Sequence, residues 1–436
     1  MISLKRLLRE SVLARNTFWM FGGHGFRLVL QAVYFILIAR ALGAAEYGAF
    51  VGAVSLVALV APFSSWGTGF ILIKEVARDR TTFGRYWGAA LGVTVLFGCV
   101  LLGLVLLVSR TIWGSAVPFR VLLLVGISDV IVVRILELAV QAFTAVEVLR
   151  KSAELYIVLA ATRTAAAAYL SFAAHSPAAL SWALLYLLST VAASTYGLFA
   201  VSRALGLPRL GMRISRAEFR EGFYFAVSQA SATVYNDIDK TMLVRYGGLG
   251  ATGIYGAAYR IVDVSFAPIS ALACAASAKF FRHGEKGITG SIRFAKQLLP
   301  FAAGYGLLAT VLLYAVSPLL PVVLGSGFAA ATLALRWLSP LVLLKSIHYF
   351  LADSLSTAGY QRQRALVQVG IVGFNVVLNF WLIPAYAWRG AAWASLASDA
   401  ALAVALFLTI VVLRRRANRS DEARGVAAEV AWRCQQ

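Results

Sequence analysis

The chain has 436 residues, of which 60% are hydrophobic and only 14% are charged. A soluble globular domain is closer to half apolar and a quarter charged, so the composition excludes that class and indicates a polytopic membrane protein. The net charge of +21 would favour a nucleic-acid partner in a soluble chain. Cytoplasmic loops of membrane proteins collect Lys and Arg, however, and we expect no nucleic acid here.

The first element in the chain is a basic, partly apolar segment at residues 1–15, which predicts an amphipathic helix on the cytoplasmic surface. Twelve mainly apolar windows follow, each of about 20 residues or more, and they predict transmembrane helices. The windows are 17–40, 46–73, 86–109, 119–147, 152–174, 178–201, 221–245, 252–278, 297–323, 329–357, 365–384 and 390–413. Charged residues interrupt the fourth, seventh and tenth windows.

The Lys and Arg residues outside the windows or at their ends are distributed unequally between the two sides of the membrane. With the N-terminus inside, twenty-eight lie in cytoplasmic segments and five lie in segments on the opposite side. This asymmetry follows the positive-inside rule and predicts that both termini are cytoplasmic. The sequence thus predicts an all-α membrane protein with about twelve spans. Its predicted parts are a six-helix bundle at 16–201, a basic linker at 202–220, a second six-helix bundle at 221–413 and a basic tail at 414–436.

Two short motifs, six windows apart, indicate that the two bundles are parallel repeats. The first window is followed by Leu42-Gly43-Ala44-Ala45-Glu46-Tyr47-Gly48-Ala49. The seventh is followed by Leu249-Gly250-Ala251-Thr252-Gly253-Ile254-Tyr255-Gly256-Ala257. A proline comes about 20 residues after each leucine, and Pro62 and Pro268 are therefore candidate hinges in kinked helices. Parallel repeats of this kind place the substrate path between the bundles.

Seven basic side chains lie inside the windows and away from their ends: Arg27, Arg134, Arg163, Lys240, Arg260, Arg336 and Lys345. A cation in hydrocarbon is disfavoured by about 2.5–3.5 kcal/mol on insertion scales, so such residues usually face a wet cavity or a carboxylate. One face of the first window carries His24, Arg27, Gln31 and Tyr34, which indicates a polar lumen centred on Arg27. Neither Arg163 nor Arg336 has an acid three or four residues away, so both are substrate-binding candidates.

Acidic residues near the other cations leave two interpretations open. Arg134 with Glu137 and Arg260 with Asp263 are spaced three residues apart, so each pair can be a structural ion pair or each arginine can bind substrate. Intramembrane carboxylates can also bind a coupling H⁺ or Na⁺. The candidates for that role are Asp237, Asp239 and Asp263, although Lys240 can pair with the first two.

Motifs for enzymatic chemistry are missing from the sequence. It contains no GxxxxGK[ST] phosphate loop, no HExxH or CxxC pair and no convincing nucleophile and base arrangement. We therefore expect a transporter without a metal or organic cofactor, coupled at most to H⁺ or Na⁺, and not an enzyme.

The residues around the first repeated motif carry a family resemblance. The run Arg40-Ala41-Leu42-Gly43, the following Glu46-Tyr47-Gly48 and the later Ser65-Trp66-Gly67-Thr68-Gly69 resemble the polysaccharide transporter (Wzx-type flippase) family. That family belongs to the multidrug/oligosaccharidyl-lipid/polysaccharide exporter superfamily. The second-half run from Asp239 through Tyr255-Gly256-Ala257-Ala258-Tyr259-Arg260 to Pro268 looks like the seventh and eighth helices of the same family.

The resemblance implies two six-helix bundles around a cationic lumen in the inner membrane. It implies a polyprenyl-pyrophosphate-linked O-antigen or exopolysaccharide repeat unit as substrate, with membrane lipids and other polysaccharide-assembly proteins as partners. Arg27 and Arg260 occupy the places of arginines thought to receive the pyrophosphate in such flippases. Two alternatives stay open, a cation-coupled multidrug exporter of the same superfamily and a major-facilitator-type carrier.

Overall fold

The computed structural model is helical throughout the part of the chain that it describes. It describes the backbone of residues 2–174, 177–209, 215–285 and 287–433, and the side chains of residues 25–416 within those ranges except 232 and 278. Every regular element in these ranges is a helix, so the predicted all-α class is confirmed.

The α-helices follow one another with short connections. They are α1 (Ile2–Val60), α2 (Thr68–Arg78), α3 (Phe83–Trp113), α4 (Phe119–Gly126), α5 (Val133–Ala145), α6 (Leu149–Ala173), α7 (Ala179–Leu205), α8 (Arg216–Tyr246), α9 (Gly248–Gly284), α10 (Gly287–Val316), α11 (Leu320–Leu324), α12 (Ala331–Leu338), α13 (Pro340–Thr357), α14 (Gln361–Tyr386) and α15 (Trp388–Arg433). A π-helical segment, Ile127–Val132, joins α4 to α5.

Helix α1 contains the first predicted span and the beginning of the second. Its backbone leaves the helical region at Gly43, where φ is 71° and ψ is 175°, a conformation that glycine adopts far more readily than other residues. The second span is interrupted again by a 3₁₀ turn at Ala61–Phe63, before α2 begins. Pro62 lies at the start of that turn, where the missing N–H removes no interior helical hydrogen bond. Pro268, by contrast, lies inside α9.

Eight helical stretches of the described chain are long and apolar enough to cross a membrane by themselves, so the chain is a multi-pass membrane protein. They are Gly25–Phe63, Arg80–Trp113, Leu149–Ala173, Ala179–Leu205, Gly248–Ser277, Gly287–Leu324, Gln361–Tyr386 and Trp388–Arg416. The first of these stretches covers part of the second predicted span as well. The fourth, seventh and tenth predicted spans do not qualify, and these are the three that charged residues interrupt.

The chain divides into two compact units. Unit 1 comprises Met1–Gly256 and Leu320–Ala329, and unit 2 comprises Ala257–Leu319 and Ala330–Gln436. Helix α9 therefore begins in unit 1 and continues in unit 2. Unit 1 has a buried apolar core that includes Trp87, Leu136 and Phe143. The predicted bundle limits at residues 201 and 221 follow the sequence repeat and stay a prediction.

Unit 2 is organised around two apolar clusters. In one, Phe280 packs edge-on against Phe294, with 4.8 Å between the ring centroids, and Phe350 joins them. In the other, Leu355 of α13 packs with Leu406 and other residues of α15. Burial of a Leu or Phe side chain contributes roughly 1.5–3 kcal/mol, so these clusters hold α9, α10, α13 and α15 together.

The two repeated Leu-Gly motifs pack against each other within unit 1. A Cβ atom on Gly48 would lie 1.8 Å from the carbonyl oxygen of Leu249, and one on Gly253 would lie 1.9 Å from the carbonyl oxygen of Ala44. The contact is thus reciprocal, because each motif places a glycine on the backbone of the other. Small residues permit helices to approach this closely, which explains why both motifs carry glycines at these places.

Candidate functional site

Tyrosine rings lie beside several of the basic side chains inside the predicted spans. In four cases a cationic group is within about 5 Å of a ring centroid, which is the range of a cation–π interaction. The pairs are Arg27 over Tyr156 at 4.5 Å, Arg163 over Tyr186 at 4.1 Å, Arg336 over Tyr314 at 5.0 Å and Lys345 over Tyr259 at 4.6 Å. This interaction stabilises a partly desolvated cation without neutralising its charge.

Arg27 and Tyr156 join the first span to α6. Both side chains are half-buried, and α1 and α6 pack along each other. Tyr156 also lies within electrostatic range of Arg134 and Glu137. The predicted pair of Arg134 and Glu137 is formed, with 2.7 Å between Nη1 and Oε2. Arg27 therefore belongs to an interior polar cluster of unit 1.

A second part of this cluster surrounds Arg163. Its Nη2 atom lies 3.7 Å from Oδ1 of Asp129, and each of the two side chains is 14% exposed. The hydroxyl of Tyr186 donates to Oδ2 of Asp129 at 3.1 Å, and Ser128 lies 3.1 Å from Oδ1. Nη2 of Arg163 also donates to the hydroxyl of Thr190 at 3.4 Å. No acid lies three or four residues from Arg163 in the sequence, but the fold places Asp129, from a different helical segment, next to it.

Asp129 lies in the π-helical segment between α4 and α5. A π turn widens the helix by one residue, disturbs the regular hydrogen-bond ladder and is frequently found at functional sites. The backbone oxygen of Asp129 accepts a hydrogen bond from Nε of Arg134 at 3.3 Å. Arg134 thus contacts both the widened turn and Glu137, and it fixes the segment that carries the carboxylate.

Tyr34 is the other member of the predicted first-span stripe that takes part in a described contact. Its ring stacks on Trp182, with 6.5 Å between centroids and 20° between planes. Trp182 in turn packs on Tyr186, so the structure brings Tyr34 and Arg163 into one cluster. Gln31 is half-buried on α1. The side chain of His24 lies outside the described residues, as do those of the predicted surface helix at residues 1–15.

Unit 2 holds a related arrangement around Lys345. Its Nζ atom donates to the hydroxyl of Tyr259 at 3.0 Å and lies 3.4 Å from Oδ1 of Asp263. Lys345 comes from α13, whereas Tyr259 and Asp263 lie on α9. Asp263, a candidate for pairing with Arg260 on the same helix, contacts a cation from another helix. Arg260 is half-buried and adjacent in sequence to Tyr259.

Arg336 lies at a different place in unit 2. Its Nε atom donates to the hydroxyl of Ser317 at 3.0 Å, and its guanidinium lies over Tyr314. Tyr314 is exposed and Arg336 is half-buried. The structure does not show Arg336 in the cluster of Lys345 and Asp263.

The acidic residues of α8 have close partners within unit 1. Nζ of Lys240 lies 2.8 Å from Oδ1 of Asp237, so the alternative of local pairing is formed. Asp239 is buried and accepts hydrogen bonds from the backbone N–H of Lys240 and from the hydroxyl of Tyr255. The second bond fastens α8 to the beginning of α9. In the described part of the chain, no group of three His, Cys, Asp or Glu residues is arranged to hold a metal ion.

Sequence reasoning missed the cross-helix partners of the predicted cations. Asp129 is among neither the coupling nor the substrate candidates, and of the four tyrosines beside the cations only Tyr259 belongs to a motif recognised in the sequence. A single sequence contains no signal for the pairing of Asp129 with Arg163, because the two are far apart in the chain. Unlike Glu137 of the same predicted span, Asp129 has no cation three or four residues away, and this draws attention to it.

Comparisons with known proteins agree on the type of fold. A family model described as polysaccharide biosynthesis protein matches residues 13–277. The structure is similar to that of an inward-facing multidrug resistance MATE family transporter of the MOP superfamily, with a TM-score of 0.72, 14% identity, and coverage of 91% of this chain and 96% of that one. No curated protein matches the chain.

Two further solved structures are similar. An outward-facing multidrug resistance MATE family transporter has a TM-score of 0.59 at 14% identity, covering 92% of this chain and 96% of that one. A MOP superfamily transporter from Pyrococcus furiosus has a TM-score of 0.60 at 13% identity with the same coverage, and its binding pocket is described as having reverse polarity that suggests a different function. At such low identities these likenesses show the fold alone.

The matched segment is more than half of the chain, and it contains the first-span arginine, the Asp129 cluster and both Leu-Gly motifs. The fold has the two-repeat architecture of MOP superfamily transporters, which was expected from the repeated motifs. The alternative of a major-facilitator-type carrier is wrong, because family and fold both lie elsewhere. The chain belongs to the polysaccharide biosynthesis protein family, and it has the fold of MOP superfamily transporters.

Proposed function

We propose that this protein is a flippase, which turns a polyprenyl-pyrophosphate-linked oligosaccharide across the inner membrane by alternating access. Both termini would then be cytoplasmic, and the transported glycan would be an O-antigen or exopolysaccharide repeat unit. The observation that carries the proposal is the cluster of Arg27, Arg134 and Arg163 inside unit 1 of a polysaccharide biosynthesis family member.

A diphosphate group fits such a cluster for a physical reason. It carries more than one negative charge, and charge-assisted hydrogen bonds to it are about twice as strong as neutral ones. The guanidinium group offers planar, paired donors and is always protonated. The ring of Tyr156 lies 4.5 Å from Cζ of Arg27, and this cation–π contact stabilises the guanidinium while it keeps its charge.

The role of each predicted substrate residue follows from this proposal. Arg27 and Arg260 are the first candidates for binding the diphosphate, and Arg163 and Arg336 are additional candidates. The glycan would contact polar groups such as Gln31 and Tyr34, while the prenyl chain remains in lipid. Pro62 and Pro268 would allow their helices to bend during the cycle.

The multidrug exporter alternative has less support from the described residues. An exporter of cations needs carboxylates that are available to its substrate. The carboxylates of Glu137, Asp237 and Asp129 each lie within 4 Å of a cationic nitrogen in the structure. The polar clusters therefore favour an anionic substrate. Export of a cationic drug remains the second candidate because solved transporters with this fold include multidrug resistance proteins.

Complementation of a flippase-deficient bacterial strain tests the proposal. The wild-type chain should restore surface polysaccharide, whereas Arg27→Ala should abolish it while the protein still reaches the membrane. Arg110→Ala is a matched control, since Arg110 is exposed at the end of α3 and should be dispensable. Normal polymer from Arg27→Ala would refute the assigned role of Arg27. No polymer from the wild type, in strains supplying several different glycans, would count against the flippase function itself.

A further inference from the structure

We propose that Asp129 is a proton-binding site coupled to anion binding by Arg163. This inference rests on the proposed function, because it concerns how unit 1 receives the diphosphate. In the proposed step, a proton from water adds to a carboxylate oxygen of Asp129. Arg163 keeps its own proton and its charge, and it is released from Asp129 to bind the anionic substrate.

The first support is the geometry of the pair. At 3.7 Å, Nη2 of Arg163 and Oδ1 of Asp129 attract each other electrostatically but are too far apart for a strong hydrogen bond. The firmer contacts of the carboxylate come from the neutral hydroxyls of Tyr186 and Ser128, each at 3.1 Å. A protonated Asp129 could keep the Tyr186 hydroxyl as a neighbour. Asp129 can therefore be protonated while its hydroxyl neighbours stay in place.

The second support is the balance of charge around Asp129. The groups that face it are Arg163 from α6, Tyr186 and Thr190 from α7, and Ser128 and Arg134 from its own segment, while Tyr34 of α1 and Glu137 of α5 lie farther out. Arg134 is held by Glu137 at 2.7 Å. With Asp129 ionised, the two arginines are balanced by two carboxylates. Addition of one proton leaves one uncompensated positive charge in a poorly hydrated place.

An anion that binds next to Arg163 would restore that balance. Proton binding and anion binding should therefore favour each other, and the coupling must be reciprocal because both are equilibria of the same protein. Such a linkage couples the binding of one proton to the binding of each substrate molecule, and it requires no other coupling ion. It also gives the π-helical segment a role, since that segment carries the carboxylate that lies beside Arg163.

Three of the carboxylates described above suit this exchange less well. Asp237 and Glu137 are held by cations at 2.7–2.8 Å, with intrahelical spacing that keeps the partners together. The side chain of Asp263 is 45% exposed, so it is much less enclosed than that of Asp129. Asp129 is only 14% exposed, its cationic partner lies 3.7 Å away on another helix, and it belongs to the π-helical segment.

Binding of inorganic pyrophosphate to the purified full-length protein in detergent tests the inference. The wild type should bind pyrophosphate more tightly at about pH 6 than at about pH 8, and the ratio should exceed that of Asp129→Asn by at least about fivefold, the lower range of ordinary coupling. The titration of pyrophosphate itself affects every variant equally, so it cancels when the pH ratios of two variants are compared. Glu154→Gln is the matched control, because Glu154 lies on α6 with Arg163 but pairs with Lys151, and it should keep the wild-type ratio.

Several outcomes would overturn the inference. One is an equal pH ratio for the wild type and Asp129→Asn, and another is a wild type that fails to bind pyrophosphate at every pH. If Asp129→Asn is misfolded by gel filtration, the charge-balanced double variant of Asp129→Asn with Arg163→Gln replaces it. A pH ratio of that variant equal to the wild-type ratio would be equally contrary. The flippase function is tested separately, since wild-type complementation does not depend on which carboxylate is protonated.

Discussion

The close contact between the two Leu-Gly motifs leads to a quantitative prediction for Gly253. Alanine at this position would place its Cβ atom 1.9 Å from the carbonyl oxygen of Ala44. Ordinary van der Waals contact begins at 3.4 Å, so the two backbones would have to separate by about 1.5 Å. Both partners are backbone atoms of helices, which cannot rotate away as a side chain can. We expect Gly253→Ala to destabilise the protein by about 1–3 kcal/mol, the ordinary cost of overpacking.

Gly250 offers a control one turn away in the same helix. A Cβ atom there would meet nothing within 4 Å, and its backbone is not in the left-handed region. Alanine at Gly250 should therefore leave stability unchanged or raise it by about 0.5 kcal/mol, because it restricts the unfolded chain. Both changes add one methyl group to α9, so they differ mainly in what that methyl group meets.

Thermal unfolding in detergent, followed by tryptophan fluorescence, distinguishes the two variants. Gly253→Ala should lower the apparent Tm by at least about 3 °C, and Gly250→Ala should not lower it. Equal shifts for both variants would refute the close approach of the two motifs. So would a normal Tm for Gly253→Ala combined with normal expression.

Two further predictions concern charged residues near helix ends. Oε2 of Glu46 accepts the N–H of Ala179 at 2.7 Å at the start of α7, so Glu46→Gln should destabilise the protein by about 0.5–1 kcal/mol, measured as a lower Tm. Partial burial opposes ionisation of Glu218, but hydrogen bonds from Tyr86 and Ser215 outweigh it and lower the pKa of Glu218. Its ionised form therefore stabilises the fold above its ordinary pKa, and this contribution is lost as the pH falls through the lowered pKa. Glu218→Gln should weaken the acid destabilisation of the wild type, and identical acid-unfolding curves would contradict this.

The sequence was sufficient to predict most of the architecture. Hydropathy identified the apolar spans, and the repeated motifs identified the two related halves. Two of the three spans that were hardest to recognise are interrupted in the structure. The π-helical segment divides the fourth, and the break between α12 and α13 divides the tenth. An additional residue in a helical turn depends on tertiary packing, and hydrophobic periodicity does not record it.

The candidate site was predictable only where partners lie on the same helix. The spacing of Arg134 and Glu137, or of Asp237 and Lys240, implies contact because residues three apart share a helix face. Neither the contact of Arg163 with Asp129 nor that of Lys345 with Asp263 follows from spacing, because each depends on how two helices pack. The same holds for Tyr156 and Tyr186, which in the sequence are ordinary aromatic residues of apolar segments.

The pairing of Arg27 with Tyr156 has a consequence for how the protein is made. Arg27 leaves the ribosome about 130 residues before its aromatic partner does. The first span therefore has to enter the membrane while its cation still lacks that contact. Its insertion should depend on help from the translocation machinery until α6 is synthesised, whereas Asp129 and Arg163 enter within about 35 residues of each other. In nascent chains that end before Tyr156, the first span should be extractable from the membrane. In chains that include α6, it should remain in the bilayer.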